Sequence, residues 1–460
     1  MANHIYLAGN STVQTYGDST NQGGWGQFLG SHLPEHIQVI NRAIGGRSSK
    51  TFVEEGRLQA ILDVIEPDDW LFVQMGHNDA SKNKPERYTE PYTTYKQYLK
   101  QYIAGAREKG AHPLVITPVA RFHYENDIDI MREVGVNVVR IGEFAWSVME
   151  PEEGKIDVGF FKEIIARLYE SGIETIMCTP TLTPPIWFSH GRPERMHVNE
   201  KREIMGHGSR QHACTNNPYF RKKTAIITTA IAKELGRLPG LIGWQLDNEF
   251  KCHVAECMCE TCLRLWHDWL KNRYGVIERL NEAWGTDVWS ETYQTFEQVP
   301  QPGPAPAPFL HHASLSTMYQ LFSMEMIASF ADEQAKIIRC YSDAPITHNG
   351  SVMFSVDNER MFQNLDFASY DTYASQENAS AFLLNCDLWR NLKQGRPFWI
   401  LETSPSYAAS LESSAYPHAD GYLQAEAVSS YALGSQGFCY WLWRQQRSGS
   451  EISHGSVLSA

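Results

Sequence analysis

Short β-rich runs separated by amphipathic, helix-like stretches recur along the whole chain of 460 residues, and they recur in two series. In the first, IYLAGNST, IQVINRAIGG, WLFVQMGHND and PLVITPVAR alternate with segments such as GRLQAILDVI. The pattern restarts after Asn126 with DIDIMREVG and then VNVVRIG (136–142), ETIMCTP (174–180), LIGWQLDNE (241–249), PITHNG (345–350), LDFASYD (365–371), PFWILET (397–403) and GFCYWLWRQ (437–445). Alternation of this kind predicts parallel strands joined by crossover helices. A (β/α)8 barrel has eight such strands and the second series supplies seven. The β-rich run just upstream, HPLVITPVA at 112–120, also reads as the last strand of the first series. The expected fold class is therefore α/β: a TIM barrel over 125–460, preceded by an incomplete flavodoxin-like segment over 1–124. Residues 112–120 are expected to serve as barrel strand one.

Charge narrows the partners. The chain carries 53 Asp and Glu against 40 Lys and Arg, a net charge of −13, which gives no footprint for a phosphate backbone or an anionic membrane surface. No run approaches the roughly 20 apolar residues of a membrane span, and the N-terminus lacks the basic, apolar and small-residue sequence of a signal peptide. No nucleic acid and no membrane are expected as partners, and the cytoplasm is the expected location. The nine cysteines are too few for a disulfide scaffold in a chain this long.

Two carboxylates stand where chemistry belongs in a barrel. Glu249 ends GWQLDNEF and Glu402 ends FWILETS, so each falls at the C-terminal end of a buried strand, the face that carries barrel active sites. Two Glu on that face suit hydrolysis of a glycosidic bond, with a carboxyl separation of about 5 Å for retention and about 6.5–9.5 Å for inversion. Asn248 beside Glu249 offers an amide to sugar hydroxyls. Trp187, Trp289, Trp441 and Trp443 offer flat faces for a pyranose ring. Each such residue taken singly also has an ordinary explanation as a helix cap, an ion-pair partner or core.

Cys257, Cys259 and Cys262 form C-x-C-x2-C, close enough for three thiolates to converge on one tetrahedral ion. A fourth ligand is required, and Cys252 or His253 lies within reach in sequence. Cys178, Cys340, Cys386 and Cys439 lie in apolar runs and read as small core residues.

From about 127 onward these segments resemble a glycoside hydrolase family 42 β-galactosidase: VNVVRIGEFAWSVMEPEEG, TPTLTPPIW, HGSRQHAC, WQLDNEF, CMCETC, LNEAWGTDVWS, THNG, DFASYDTY and ETSPS occur in the family's order. The resemblance implies a retaining β-galactosidase, a hydrolase of terminal β-D-galactosides, with Glu249 as acid/base and Glu402 as nucleophile. It further implies that Arg140, Arg210, Asn248, Trp289, Glu451 and His454 contact the sugar. Cys214 becomes the fourth ligand of a structural Zn2+ held with Cys257, Cys259 and Cys262, and catalysis needs no metal. The aromatic residue that the family places some eight positions past the nucleophile is here Ser410. No segment resembling the family's trimerisation domain follows strand eight, so its homotrimer is not expected.

Residues 5–124 resemble the SGNH hydrolase fold, most nearly rhamnogalacturonan acetylesterases, through GNST, AIGGRSS, GHND and VITPVAR. The resemblance makes Ser11 a nucleophile, with Gly46 and Asn78 completing an oxyanion hole. The Asp-x-x-His that would deprotonate the serine does not occur between Asn78 and the junction, so an inactive esterase remnant is expected. The competing readings of the chain are an acetylesterase acting through Ser11 and a galactoside-binding protein without turnover.

Overall fold

The computed structural model describes residues 4–17, 23–34, 36–116, 124–208, 210–303, 312–406, 417–446, 449, 451 and 454–458. The chain divides into two compact units, Met1–His123 and Tyr124–Ser459.

The first unit is a parallel sheet in the order β2-β1-β3-β4, built from β1 (His4–Gly9), β2 (Gln38–Asn41), β3 (Trp70–Gln74) and β4 (His112–Val115). Tyr6, Ala8, Leu71 and Val73 alternate toward one face, where Phe52 and Tyr102 from the crossover helices close the core. β4 corrects the expectation for residues 112–120. His112, Pro113, Leu114 and Val115 pair in register with Trp70, Leu71, Phe72 and Val73, and Ile116 N–H donates to the Val73 carbonyl at 2.8 Å. The described part of this run belongs to the first sheet, and its remainder, 117–120, lies outside the described residues. A β-branched run can enter either sheet on its own composition; register with an already aligned neighbour decides which.

The second unit carries β5 (Val138–Ile141), β6 (Glu174–Cys178), β7 (Leu241–Gln245), β8 (Ile346–Thr347), β9 (Asn349–Gly350), β10 (Ala368–Asp371), β11 (Phe398–Thr403) and β12 (Ser435–Tyr440). β5-β6-β7-β8 and β9-β10-β11-β12 are both parallel. β8 and β9 are one strand position turned at His348, so the two sheets join into seven consecutive positions. Arg140 on β5 reaches both Gln245 on β7 (3.0 Å) and Glu402 on β11 (2.5 Å) across the interior, which shows the sheet curled into a TIM barrel. Among the described residues no strand pairs with the free edge of β5. Near that edge Asp127 chelates the Arg444 guanidinium, with Nε 2.8 and 2.9 Å from its two oxygens. Val457 and Leu458 donate to the carbonyls of Leu442 and Trp443 at 2.9 and 2.8 Å.

Helices cover the barrel for local reasons. Helix Pro218–Leu235 starts on Asn217, whose side chain accepts from the N–H groups of Tyr219 and Phe220, with Pro218 preset at the first helical position. Trp146, Phe220, Trp244, Phe330 and Ile400 fill the barrel core. A second cluster, with Trp266, Trp284, Tyr319 and Phe322 around the cysteines, packs helices Glu260–Tyr274 and Ile277–Trp284 against the start of Ala313–Arg339. No described helix is long and apolar enough to cross a membrane.

Candidate active site and cysteine centre

Glu249 leaves β7 on a backbone that ordinary side chains avoid. Asp247, Glu249 and Lys251 have φ of 52°, 47° and 67°, a left-handed conformation costing about 1–3 kcal/mol for each non-glycine residue unless its surroundings impose it. The surroundings do. Asp247 N–H donates to Thr179 Oγ1 (2.8 Å), and Glu249 N–H donates to Asn349 Oδ1 (3.1 Å). The Glu249 carbonyl accepts from Gln211 Nε2 at 2.7 Å. Its carboxyl accepts from Arg210 Nη1 at 2.8 Å and from Asn248 Nδ2 at 3.3 Å. Burial, reinforced by the charge of Glu402 and opposed by Arg210, pushes the Glu249 carboxyl up to about 7. A carboxyl so placed holds a proton near neutrality, which is what a general acid requires.

Glu402, near the end of β11, is held by other partners. Arg140 Nη2 binds its Oε2 at 2.5 Å, and the Tyr373 hydroxyl donates to its Oε1. Two donors, one on each oxygen, fix the orientation of this buried carboxyl. Arg140 is itself held by Glu143 at 3.2 Å. One carboxyl oxygen each of Glu249, Glu402 and Asp371 lie within 4.8 Å of one another. This spacing suits a nucleophile and an acid/base on the same bond and leaves no room for an interposed water.

The group opens into a cleft of about 1370 Å3 lined by Arg210, Glu249, Glu402, Trp441, Glu451 and His454 among others. His454 is buried and packs against Tyr373 with ring centroids 5.6 Å apart. Asn248 is buried behind Glu249, accepting from Asn349 Nδ2 at 2.8 Å. Trp289 corrects the expectation for it. It is 75% exposed, lies in a short turn at φ 59°, and does not line the cleft. Of the other tryptophans, Trp441 lines the cleft, whereas Trp187 packs against Trp146 at 6.3 Å. Ser410 lies outside the described residues. Sequence reasoning missed Asp371, Tyr373, Gln245 and Asn349. Asp371 at least left a signal, since it ends β10 at the level where Glu402 stands on β11.

The sulfur atoms of Cys214, Cys257, Cys259 and Cys262 also lie within 4.8 Å of one another, with Cys214 at 3.6 Å from Cys262 and 3.5 Å from Cys259. These separations are far beyond a disulfide bond and close to the edge of a tetrahedron with metal–sulfur distances of about 2.3 Å. Val198 N–H and Asn216 Nδ2 donate to the sulfurs of Cys257 and Cys262 at 3.4 and 3.3 Å, as donors to thiolate ligands do. The donor set therefore fits zinc. Cys252 and His253 stand instead at the cleft. Cys340, read from sequence as core, is exposed at the end of helix Ala313–Arg339, and all nine cysteines are unpaired thiols.

In the first unit Ser11 is half-buried, with its carbonyl accepting from the Tyr16 hydroxyl at 2.9 Å. Asn78 donates to the Arg47 carbonyl at 2.8 Å and accepts from Arg87 at 3.1 Å, and Gly46 adopts φ 80° nearby. Among the described residues no histidine is hydrogen-bonded to the Ser11 hydroxyl.

Known proteins share both halves of this arrangement. The glycoside hydrolase 42 family model, described as beta-galactosidase, matches residues 119–460. A GDSL-like lipase/acylhydrolase model matches residues 5–201. The β-galactosidase YesZ of Bacillus subtilis is 97% identical over 336 residues, which cover 73% of this chain and 50% of YesZ. The probable rhamnogalacturonan acetylesterase YesY of the same organism is 97% identical over 128 residues, covering 28% of this chain and 59% of YesY. A solved β-galactosidase from the haloarchaeon Halorubrum lacusprofundi superposes with a TM-score of 0.68 at 31% identity, covering 73% of this chain and 53% of that one. The chain spans about half the length of the curated β-galactosidases it matches.

Proposed function

Because the chain belongs to the glycoside hydrolase 42 β-galactosidase family, we propose that it hydrolyses terminal β-D-galactosides with retention of configuration. The observation that carries this reading is the Glu249–Glu402 pair, two carboxyls within 4.8 Å at the mouth of the barrel, with Glu249 raised to about 7 and Glu402 held by Arg140. The Glu402 carboxylate attacks the anomeric carbon as the bond to the leaving oxygen breaks, and the Glu249 proton passes to that oxygen. Water then enters. Glu249, now a carboxylate, takes a proton from the water, whose oxygen displaces Glu402 from the anomeric carbon. Arg140 and Tyr373 hold the nucleophile in place before and after this exchange, and Arg210 keeps the acid/base oriented. Arg210, Asn248, Glu451 and His454 supply the mixed donors and acceptors by which a buried site distinguishes one hydroxyl configuration from another.

The test is release of nitrophenol from a nitrophenyl β-galactoside by the folded protein, run beside Glu402→Gln, with the anomer first released identified by NMR. Turnover abolished in the variant, with β-galactose appearing first, is expected. An α-anomer as first product, or equal turnover by the variant, overturns the reading.

The four thiols are proposed to hold one structural Zn2+. Such an ion, closed off by four thiolates, ties the loop bearing Cys214 to the start of helix Glu260–Tyr274 and leaves no coordination position for substrate. Nine unpaired thiols suit a reducing compartment, and the cytoplasm is proposed as the location.

A further inference from the structure

The cleft has two ends of different character, and the two-glutamate reaction sets which half of a substrate meets each. At about 1370 Å3 it is larger than the roughly 300–1,000 Å3 that encloses a drug-sized ligand, so one pyranose ring leaves much of it open. Around Glu402 the walls are polar or aromatic. Arg140 and Tyr373 bind its carboxyl, the Tyr373 ring packs on His454 with centroids 5.6 Å apart, and the Arg140 guanidinium stands 5.7 Å over the Trp441 ring.

The walls beside Glu249 are apolar. Two loop stretches line the cleft there, 183–186 with Pro184, Pro185 and Ile186, and 351–354 with Val352, Met353 and Phe354. Hydrogen bonds hold both on the acid/base side. Just upstream of Met353, Asn349 Oδ1 accepts from Glu249 N–H at 3.1 Å, and just downstream Ser355 Oγ donates to Glu256 Oε1 at 3.0 Å. The Gln211 side chain donates to the Glu249 carbonyl (2.7 Å) and accepts from His253 N–H (2.9 Å), while its backbone N–H donates to the Leu182 carbonyl (3.0 Å). Polar groups at this end already have partners among the described residues: Arg210 binds Glu249 and His253, and His207 binds Ser189 at 2.8 Å. Ile186, Val352 and Met353, in contrast, are 55%, 48% and 85% exposed, large apolar side chains gathered at the mouth of a site.

The Glu249 proton passes to the oxygen of the departing group, so whatever departs lies against these walls. We propose that 183–186 and 351–354 form a leaving-group subsite for an alkyl or aryl aglycone, with Ile186, Val352 and Met353 as its specificity-determining residues. The proposal rests on the β-galactosidase reading, which places the leaving oxygen at Glu249. Apolar area that the aglycone buries there stabilises the first transition state relative to free substrate, so it appears in kcat/KM. It has no effect on hydrolysis of the galactosyl-enzyme, from which the aglycone has gone.

The test compares methyl, propyl, butyl and hexyl β-D-galactosides, whose alcohols are of nearly equal acidity, with free galactose as the readout. In the wild type kcat/KM is expected to rise about twofold per methylene, about eightfold from methyl to butyl. Val352→Thr combined with Met353→Gln keeps the side-chain shapes but exchanges apolar for polar surface, and should reduce that rise to about twofold, whereas Met353→Leu should keep it. A flat series in the wild type, or a rise in the combined variant as steep as the wild type's, overturns the proposal. So does a flat series together with a sedimentation coefficient that changes in the variant, which would make the apolar wall a contact between copies of the chain. β-D-Galactosyl fluoride, whose leaving group has no carbon, separates this outcome from failure of the hydrolase reading. Turnover of the fluoride with a flat alkyl series leaves the hydrolase reading standing and the subsite refuted. If the fluoride is not hydrolysed, the hydrolase reading fails and calorimetric titration with the same galactosides decides the subsite: affinity that rises from methyl to hexyl in the wild type but not in the combined variant upholds it, and equal affinities overturn it.

Discussion

Replacing the acid/base glutamate is expected to make the protein more stable above neutrality while abolishing turnover. The Glu249 carboxyl titrates near 4.5 when free and is pushed up to about 7 in the folded chain. A group whose folded pKa is raised contributes its full stability below the unfolded value and loses it as pH rises through the folded one. The difference of about 2.5 units at about 1.4 kcal/mol each amounts to about 3 kcal/mol of destabilisation once both states are ionised. Glu249→Gln keeps the side chain's shape and an oxygen for Arg210, and it removes the charge. The variant should match the wild type at pH 4 and exceed it by about 2–3 kcal/mol at pH 8, the lower figure allowing for a cluster that titrates as a unit with Glu402 and Asp371. Urea denaturation followed by tryptophan fluorescence measures this, since guanidinium would screen the charges being compared. Of the 13 tryptophans, Trp25 and Trp70 alone lie outside the barrel unit. A variant no more stable than the wild type at pH 8, or equally favoured at pH 4 and pH 8, would refute the argument that burial holds this carboxyl protonated.

Removing the cation beside the acid has the opposite effect on the titration. Arg210→Gln should raise the Glu249 pKa further and move the basic limb of kcat/KM upward by about 1–2 units, read from a pH–rate profile. Cys259→Ser should reduce bound zinc from about one ion per chain toward none by emission spectrometry, and should lower the melting temperature by unpinning helix Glu260–Tyr274. Trp266→Ala removes a fully buried ring that packs on Trp269, Tyr319 and Phe322. It should cost about 3–5 kcal/mol in urea denaturation, with the geometry around Glu249 intact if the helical layer and the barrel mouth are separable.

Much of the site could be read before any fold was known. Glu402 stands at the end of β11 and Glu249 just past the end of β7, where an apolar run gives way to polar residues, and that transition is local. The C-x-C-x2-C spacing is local too, and it is enough to bring three thiols together. The fourth, Cys214, lies 43 residues before Cys257, so spacing alone left Cys252 and His253 as candidates; the chain path sets Cys214 beside the others and takes those two to the cleft. Trp289 has the composition of a sugar platform, yet its backbone turn directs it to solvent.

The sequence by itself determined the alternation of strands and helices, the place of each glutamate where an apolar run gives way to polar residues and the density of thiols, because periodicity and spacing act over a few residues. The tertiary structure decided three further matters. It paired 112–115 with β3, since a strand's composition makes it sheet-forming while register selects its neighbour. It raised the Glu249 carboxyl above its free range, since the burial around it, the nearby Glu402 and the guanidinium of Arg210 come from elsewhere in the chain. It also left Asp371 without a cation, since both guanidiniums near it are taken by other carboxyls, a competition among groups far apart in sequence that only the folded chain brings about.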